Sequence, residues 1–260
     1  MALVSLTYRS DQLKKTVRIQ LAVPDCNARF VRPLSEYSVI YLLHGLSEDA
    51  SSWIRKSNAE RYALERDLVL VMPSADRSMY CDGVLGQNYF SYITEELPSY
   101  LNRVFGLSRR REKNAVMGFS MGGYGAARAA LTYPERYAAW GSLSGLLDLS
   151  PMLMRMDDSI CAEFPFLTEQ ASALETTPLN PVNLPDSDRH AGLRGYIACG
   201  LDDDLLICSK RFQAVSEQTG LHNTFVYTPD RRHDWTFWEE QIPLFFDFVK
   251  SGEHYEASHL

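Results

Sequence analysis

Cysteine is sparse in this chain of 260 residues: there are five, at Cys26, Cys81, Cys161, Cys199 and Cys208. No two stand at C-x-x-C spacing, which argues against a zinc knuckle or a thioredoxin-type pair, and no metal site is expected. An odd count of scattered cysteines reads as reduced thiols in a cytosolic chain. Long apolar runs are missing too. The longest, such as Val39–Leu43 and Leu68–Met72, cover about five residues, where a bilayer-crossing helix needs about 20. The first residues turn polar by Thr7 and lack the basic start and apolar stretch of a signal peptide, so a cytoplasmic location without a membrane partner is expected. No basic block stands out. Lys and Arg number 26 against 33 Asp and Glu, a net charge of −7, which argues against a nucleic-acid partner. What remains is an ordinary globular composition, 45% hydrophobic and 23% charged, of a length for one domain over 1–260 or one domain with an insertion.

Val4–Tyr8 and Thr16–Val23 alternate apolar and polar residues, as strands with one wet face do. They predict an antiparallel pair at a sheet edge, with Asp11 and Gln12 in the turn. Ser38–Leu43 and Leu68–Met72 are continuously apolar, the pattern of central strands covered on both faces. Between them, Ser57-Asn-Ala-Glu60 fits a capping box, predicting a helix to near Arg66. Phe90–Phe105 carries an apolar helical face, with a kink expected at Pro98. Further strands are read at Asn114–Gly118, Tyr137–Leu143, Leu193–Cys199 and Thr224–Tyr227. Helices are read at Tyr124–Leu131, Leu205–Gln218 and Trp235–Lys250, the last with an awkward Pro243. The alternation of strand and helix predicts an α/β fold: a mostly parallel central sheet of about eight strands with helices on both faces. Residues 149–190 break the alternation and hold five of the twelve prolines. They read as a cap-like insertion above the sheet, against the plainer reading of a long loop.

Gly118-Phe-Ser120-Met-Gly122 is the strongest motif. A predicted strand ends at Gly118 and a predicted helix begins just after Ser120, the context of a nucleophile elbow. The sharp turn presents the serine hydroxyl at the carboxyl edge of the sheet, and side chains two residues to either side would strike neighbouring backbone. The following Tyr124 stands where a Walker loop needs Lys, and Gly123-Tyr-Gly125 does not continue as a dinucleotide fingerprint, so no phosphate cofactor is implied. In this architecture the acid and then the histidine follow the nucleophile. Of His190, His222, His233, His254 and His259, only His233 lies in a loop after a late strand and before the last long helix, where it can reach back over the sheet. The acid belongs at the end of Leu193–Cys199, where Gly200-Leu is followed by Asp202, Asp203 and Asp204. These residues alone leave Asp202 and Asp203 open. An oxyanion needs donors, for which the Met121 N–H and the Leu46 N–H in His44-Gly-Leu46 are the candidates. His44 reads as structural because it precedes the nucleophile.

Tyr41-Leu-Leu-His-Gly-Leu46, Trp53, Asn58-Ala-Glu60, Val71-Met-Pro73, Glu95-Glu-Leu-Pro98, Gly118-Phe-Ser-Met-Gly-Gly-Tyr-Gly125, Cys199-Gly200 with Asp203, and His233-Asp-Trp-Thr-Phe-Trp-Glu239 together resemble the esterase D branch of the α/β-hydrolases. Within that branch the chain is most similar to bacterial tributyrin-esterase-like carboxylesterases. The resemblance implies an α/β-hydrolase fold and a serine carboxylesterase acting on short acyl esters, acetyl to butyryl, through Ser120, Asp203 and His233. It implies no cofactor and a small-molecule ester as substrate. It selects Asp203 as the acid, and it implies that Tyr80 in the Tyr80-Cys-Asp82 loop borders the substrate. Cys81 departs from the threonine of relatives. Phe119 and Tyr124 stand where the related S-formylglutathione hydrolases carry histidines, which weakens the reading as a glutathione thioesterase. A non-catalytic hydrolase-fold binding protein would be expected to lack one of the three site residues. Base rates for such enzymes give a homodimer or higher homo-oligomer as the expected assembly.

Overall fold

The strands observed are β1 (Ala2–Arg9), β2 (Thr16–Val23), β3 (Ser38–Leu43), β4 (Leu68–Pro73), β5 (Asn114–Phe119), β6 (Ala139–Leu143), β7 (Arg194–Gly200) and β8 (Asn223–Thr228). This is a computed structural model that describes residues 1–25, 32–83, 87–153 and 176–252. The strands form one sheet in the order β1-β2-β4-β3-β5-β6-β7-β8. β1 and β2 form an antiparallel hairpin and β2 runs antiparallel to β4. From β4 to β8 every neighbouring pair is parallel. The expected α/β architecture is therefore the one observed.

Hydrophobic pattern sets each strand's place. Every residue of β4 and β5 is buried, whereas β1 alternates half-buried and exposed positions along one edge. The pleat divides β3 between two cores. Val39, Tyr41 and Leu43 face one core with the elbow helix; Ile40 and Leu42 face the other with Trp53, Phe119 and the last helix.

The helices are α1 (Ser52–Lys56), α2 (Ala59–Glu65), α3 (Tyr89–Ser91), α4 (Leu97–Phe105), α5 (Met121–Thr132), α6 (Ser150–Leu153), α7 (Leu206–Gln218) and α8 (Trp235–Ser251). Two local expectations need correction. Ser57 does not begin a capping box. Its hydroxyl accepts from the Ala59 N–H but donates to Trp53 O, and Glu239 of α8, not Glu60, takes the Asn58 N–H. A single π-helical turn, Tyr92–Glu96, joins α3 to α4, so Pro98 falls in the first turn of α4, where a missing N–H costs little. Elongation of α8 continues through Pro243. An interior proline costs about 3 kcal/mol, but α8 buries Phe237, Trp238, Ile242, Phe245, Phe246 and Phe248, each worth about 1.5–3 kcal/mol.

Most of the expected insertion at 149–190 lies outside the described residues. Its described ends are clamped together: Asn180 Nδ2 donates to Asp148 and Asn180 Oδ1 accepts from the Leu149 N–H. Cys26, Cys161, His254 and His259 also lie outside the described residues.

Candidate active site

Ser120 occupies the turn between β5 and α5 with φ 54° and ψ −122°. A non-glycine residue held there stores about 1–3 kcal/mol, and two bonds hold it. Its N–H donates to Leu143 O at 2.9 Å, and its carbonyl accepts the Tyr124 N–H at 3.2 Å. The steric reading of the motif holds. A Cβ on Gly118 would collide with the backbone of Gly122, and one on Gly122 would collide with the Leu43 carbonyl. The turn is thus pressed against the end of β3, and α5 begins at Met121, just after Ser120 as expected.

Three consecutive carboxylates follow β7, and burial distinguishes them. Asp202 and Asp204 are exposed, whereas Asp203 points inward. Its carboxylate lies 3.0 and 3.2 Å from His233 Nδ1 and accepts the Leu205 N–H at 2.8 Å. Burial by itself would raise the Asp203 pKa. The hydrogen bonds and attraction from His233, with bonds from Ser144 and the Leu205 N–H, outweigh it and hold the carboxyl below its ordinary range. The Asp203 side chain is 0% exposed while that of His233 is 34% exposed, so the imidazole has one face on the acid and one toward solvent. Gly200 permits this meeting, since a Cβ there would collide with Arg231 O in the loop that carries His233. Asp202 N–H also donates to Arg231 O, at 3.0 Å.

Among the described residues no hydrogen bond joins Ser120 to His233. Bonded intermediates run between them. Ser120 is bonded to Leu143, and the next residue, Ser144, lies against Asp203, which holds His233. The other histidines are elsewhere. His190 is buried and bonded to Asp186 and Leu131 O, and His222 is exposed before β8.

The loop after β3 is fixed from three sides. Ala75 N–H donates to His44 Nε2 at 2.8 Å, so His44 Nδ1 carries the proton and donates to Gly45 O at 2.7 Å. The Tyr80 hydroxyl donates to His44 O at 3.0 Å. His44 is structural, as its place before the nucleophile suggests. Tyr80 is fully buried, behind this loop and without surface open to a ligand. Neither the Leu46 nor the Met121 N–H donates to another described residue, and both belong to the segments that flank Ser120.

Several residues of the quoted motifs support the site in ways the sequence does not show, and Glu48, outside those motifs, joins them. Glu48, two residues beyond Leu46, accepts from Trp235 Nε1, Ser52 and Lys56. Trp235 packs at 4.8 Å from Phe119, which stacks on Trp238 at 4.3 Å. Trp238 meets the His233 ring edge-on at 5.1 Å. One aromatic cluster therefore ties the elbow, the loop after β3 and the histidine loop together. Its members Phe119 and Trp238 are 119 residues apart, a pairing that local patterning does not detect.

Residues 10–244 match the model of the family described as "Putative esterase". An acetyl esterase of Caldicellulosiruptor saccharolyticus is 25% identical, over 96% of this chain and 98% of its own. Among solved structures, an S-formylglutathione hydrolase from Staphylococcus aureus superposes with a TM-score of 0.81 at 28% identity, covering 95% of this chain and 98% of that one. Fluorophosphonate-binding serine hydrolase F of Staphylococcus aureus gives 0.82 at 26% identity with the same coverage.

Proposed function

The chain belongs to this esterase family, as an α/β-hydrolase of the esterase D type, and from that premise we propose that it is a serine carboxylesterase hydrolysing acetyl to butyryl esters through an acyl-enzyme. The observation that carries the reading is the Asp203–His233 pair, bonded at 3.0 Å, on the same sheet whose elbow holds Ser120 in strained turn geometry. Ser120 Oγ attacks the ester carbonyl carbon while its proton passes to His233 Nε2. Asp203 holds Nδ1–H and stabilises the imidazolium. The Leu46 and Met121 N–H groups donate to the developing oxyanion. Collapse breaks the bond to the alkoxy oxygen, which leaves with the proton from His233, and water then repeats the sequence on the acyl-enzyme. The hydrogen bond from Ser120 to His233 closes in the substrate complex, as is common when free-enzyme geometry is looser. Tyr80 acts from behind, holding the His44 carbonyl and so the donor loop.

Each methylene in an apolar pocket is worth about 1–3 kcal/mol of discrimination, so preference across acetyl, butyryl and octanoyl p-nitrophenyl esters is expected to fall steeply after butyryl. Ser120→Ala should abolish turnover and labelling by a fluorophosphonate probe. Faster hydrolysis of long-chain esters, or probe labelling that survives Ser120→Ala, would overturn the reading. The likeness to an S-formylglutathione hydrolase supports a second reading, thioester hydrolysis with the same residues. Phe119 and Tyr124 are both buried, so their departure from histidine bears on packing more than on contact with a thiol leaving group. Rates on S-formylglutathione and p-nitrophenyl acetate, measured side by side, separate the two.

A further inference from the structure

Ser144 is fully buried and has φ 50°, a left-handed conformation rare for serine. It follows β6, between the elbow on β5 and the acid turn on β7. Its N–H donates to Ala198 O at 2.8 Å, which fixes the backbone to β7. Its Oγ accepts the indole N–H of Trp238 at 3.2 Å. The hydroxyl also faces the Asp203 carboxylate and the Cys199 thiol, and it lowers the pKa of each. Trp238 meanwhile lies edge-on against His233 at 5.1 Å. The contacts close a ring: Trp238 to Ser144, Ser144 to Asp203, Asp203 to His233, and His233 back to Trp238.

We propose that Ser144 is a positioning residue that sets α8, and with it the histidine loop, in register with the acid. It acts through Asp203 and does not touch the reacting atoms. A carboxylate held only by Leu205 N–H and the imidazole is free to rotate about its Cβ–Cγ bond. The Ser144 hydroxyl supplies the further donor that fixes the plane of the carboxylate, and Trp238 fixes that hydroxyl. The titratable groups around Asp203 are the exposed Asp202 and Asp204 beside it and the buried thiols of Cys199 and Cys208, both raised by burial and by the carboxylate's charge and so neutral.

This inference rests on the reading of Asp203 and His233 as the acid–base pair, and the test separates the two. Ser144→Ala removes the hydroxyl. Ser144→Gly removes it and also relieves the positive φ. Both are expected to lower kcat on p-nitrophenyl acetate about tenfold with KM nearly unchanged. Loss of a donor makes the carboxylate more basic, so the acid limb of kcat/KM against pH should move to higher pH in both variants. Trp238→Phe, which keeps the ring and loses the N–H, should shift the limb in the same direction by less. A purely structural serine would leave the limb where it is, and Ser144→Gly would then match the wild type. Wild-type kcat and an unmoved limb in both serine variants, with Ser120→Ala and His233→Ala inactive, would overturn this role and leave the triad standing. Activity surviving in His233→Ala would instead remove the triad reading itself. Circular dichroism and a urea midpoint for each variant keep folding losses apart from the kinetic effect.

Discussion

His44 stands one residue before the glycine of the donor loop and is a tempting base, yet both its ring nitrogens are occupied by backbone. Burial holds its pKa below the ordinary histidine value, against the Gly45 hydrogen bond and nearby carboxylates, which favour the charged form. Protonating Nε2 would set two donors, Nε2–H and the Ala75 N–H, against each other. The folded state therefore binds this proton less readily than the unfolded state. The neutral ring's contribution is complete above the unfolded value of about 6.5 and is lost as pH falls below it toward the lower folded value. His44→Ala leaves the Ala75 N–H unpaired, an expected cost of about 1–3 kcal/mol at pH 7.5. Urea titrations at pH 7.5 and 5.5 should show that the gap between wild type and variant narrows at the lower pH. An unchanged gap would mean that His44 does not titrate with folding. The sequence shows a histidine in this loop; that it is spoken for depends on Ala75, which reaches it from the end of a different strand.

The elbow is the element most legible in advance, because its constraint is local: a strand, a turn that demands small flanking residues, and a helix. Ser120→Gly and Ser120→Ala should be equally inactive but not equally stable. Glycine accepts φ 54° without the strain that alanine keeps, so the glycine variant is expected to unfold at higher urea, by about 0.5–1 kcal/mol. Equal midpoints would mean that the turn is not strained. Elements defined by distant partners were less legible. The start of α2 depends on Glu239 from α8, so a local capping signal at Ser57 misassigned it. The link between Glu48 and Trp235 likewise couples two loops, each of which reads locally as a turn. Glu48→Gln and Trp235→Phe should each slow turnover several-fold, and the double variant should lose less than the product of the two. A coupling of at least about 0.5 kcal/mol is expected for groups in direct contact. Strict additivity would show that the two loops move independently.

The whole molecule gathers its chemistry from the carboxyl ends of β3, β5, β6 and β7 and the start of α8, so site and fold share one balance of stability. A mostly parallel sheet was readable because apolar runs and their alternation with helices leave few topologies. The choice between Asp202 and Asp203 was not readable from these residues, because it is made by Gly200 and Arg231 turning one carboxylate inward. That inward carboxylate links the site to global stability. Burial alone would raise the Asp203 pKa, but His233, Ser144 and the Leu205 N–H outweigh it and leave the value lowered. A carboxyl with a lowered folded value contributes stability that is complete above the unfolded value of about 3.9 and is lost as pH falls through the folded one. Asp203→Asn should therefore be less stable than the wild type at pH 6, and the difference should shrink below about pH 4. Tryptophan fluorescence in urea from pH 6 down to pH 3 measures it, since Trp238 reports on α8 and Trp140 on β6. A difference that stays constant with pH would mean that the carboxylate's partners do not favour its charge in the folded state. The same variant should be almost inactive at pH 6, because an amide in place of the carboxylate cannot stabilise an imidazolium at His233. Stability and turnover should then separate with pH: in acid the variant approaches the wild type in folding while its activity remains lost.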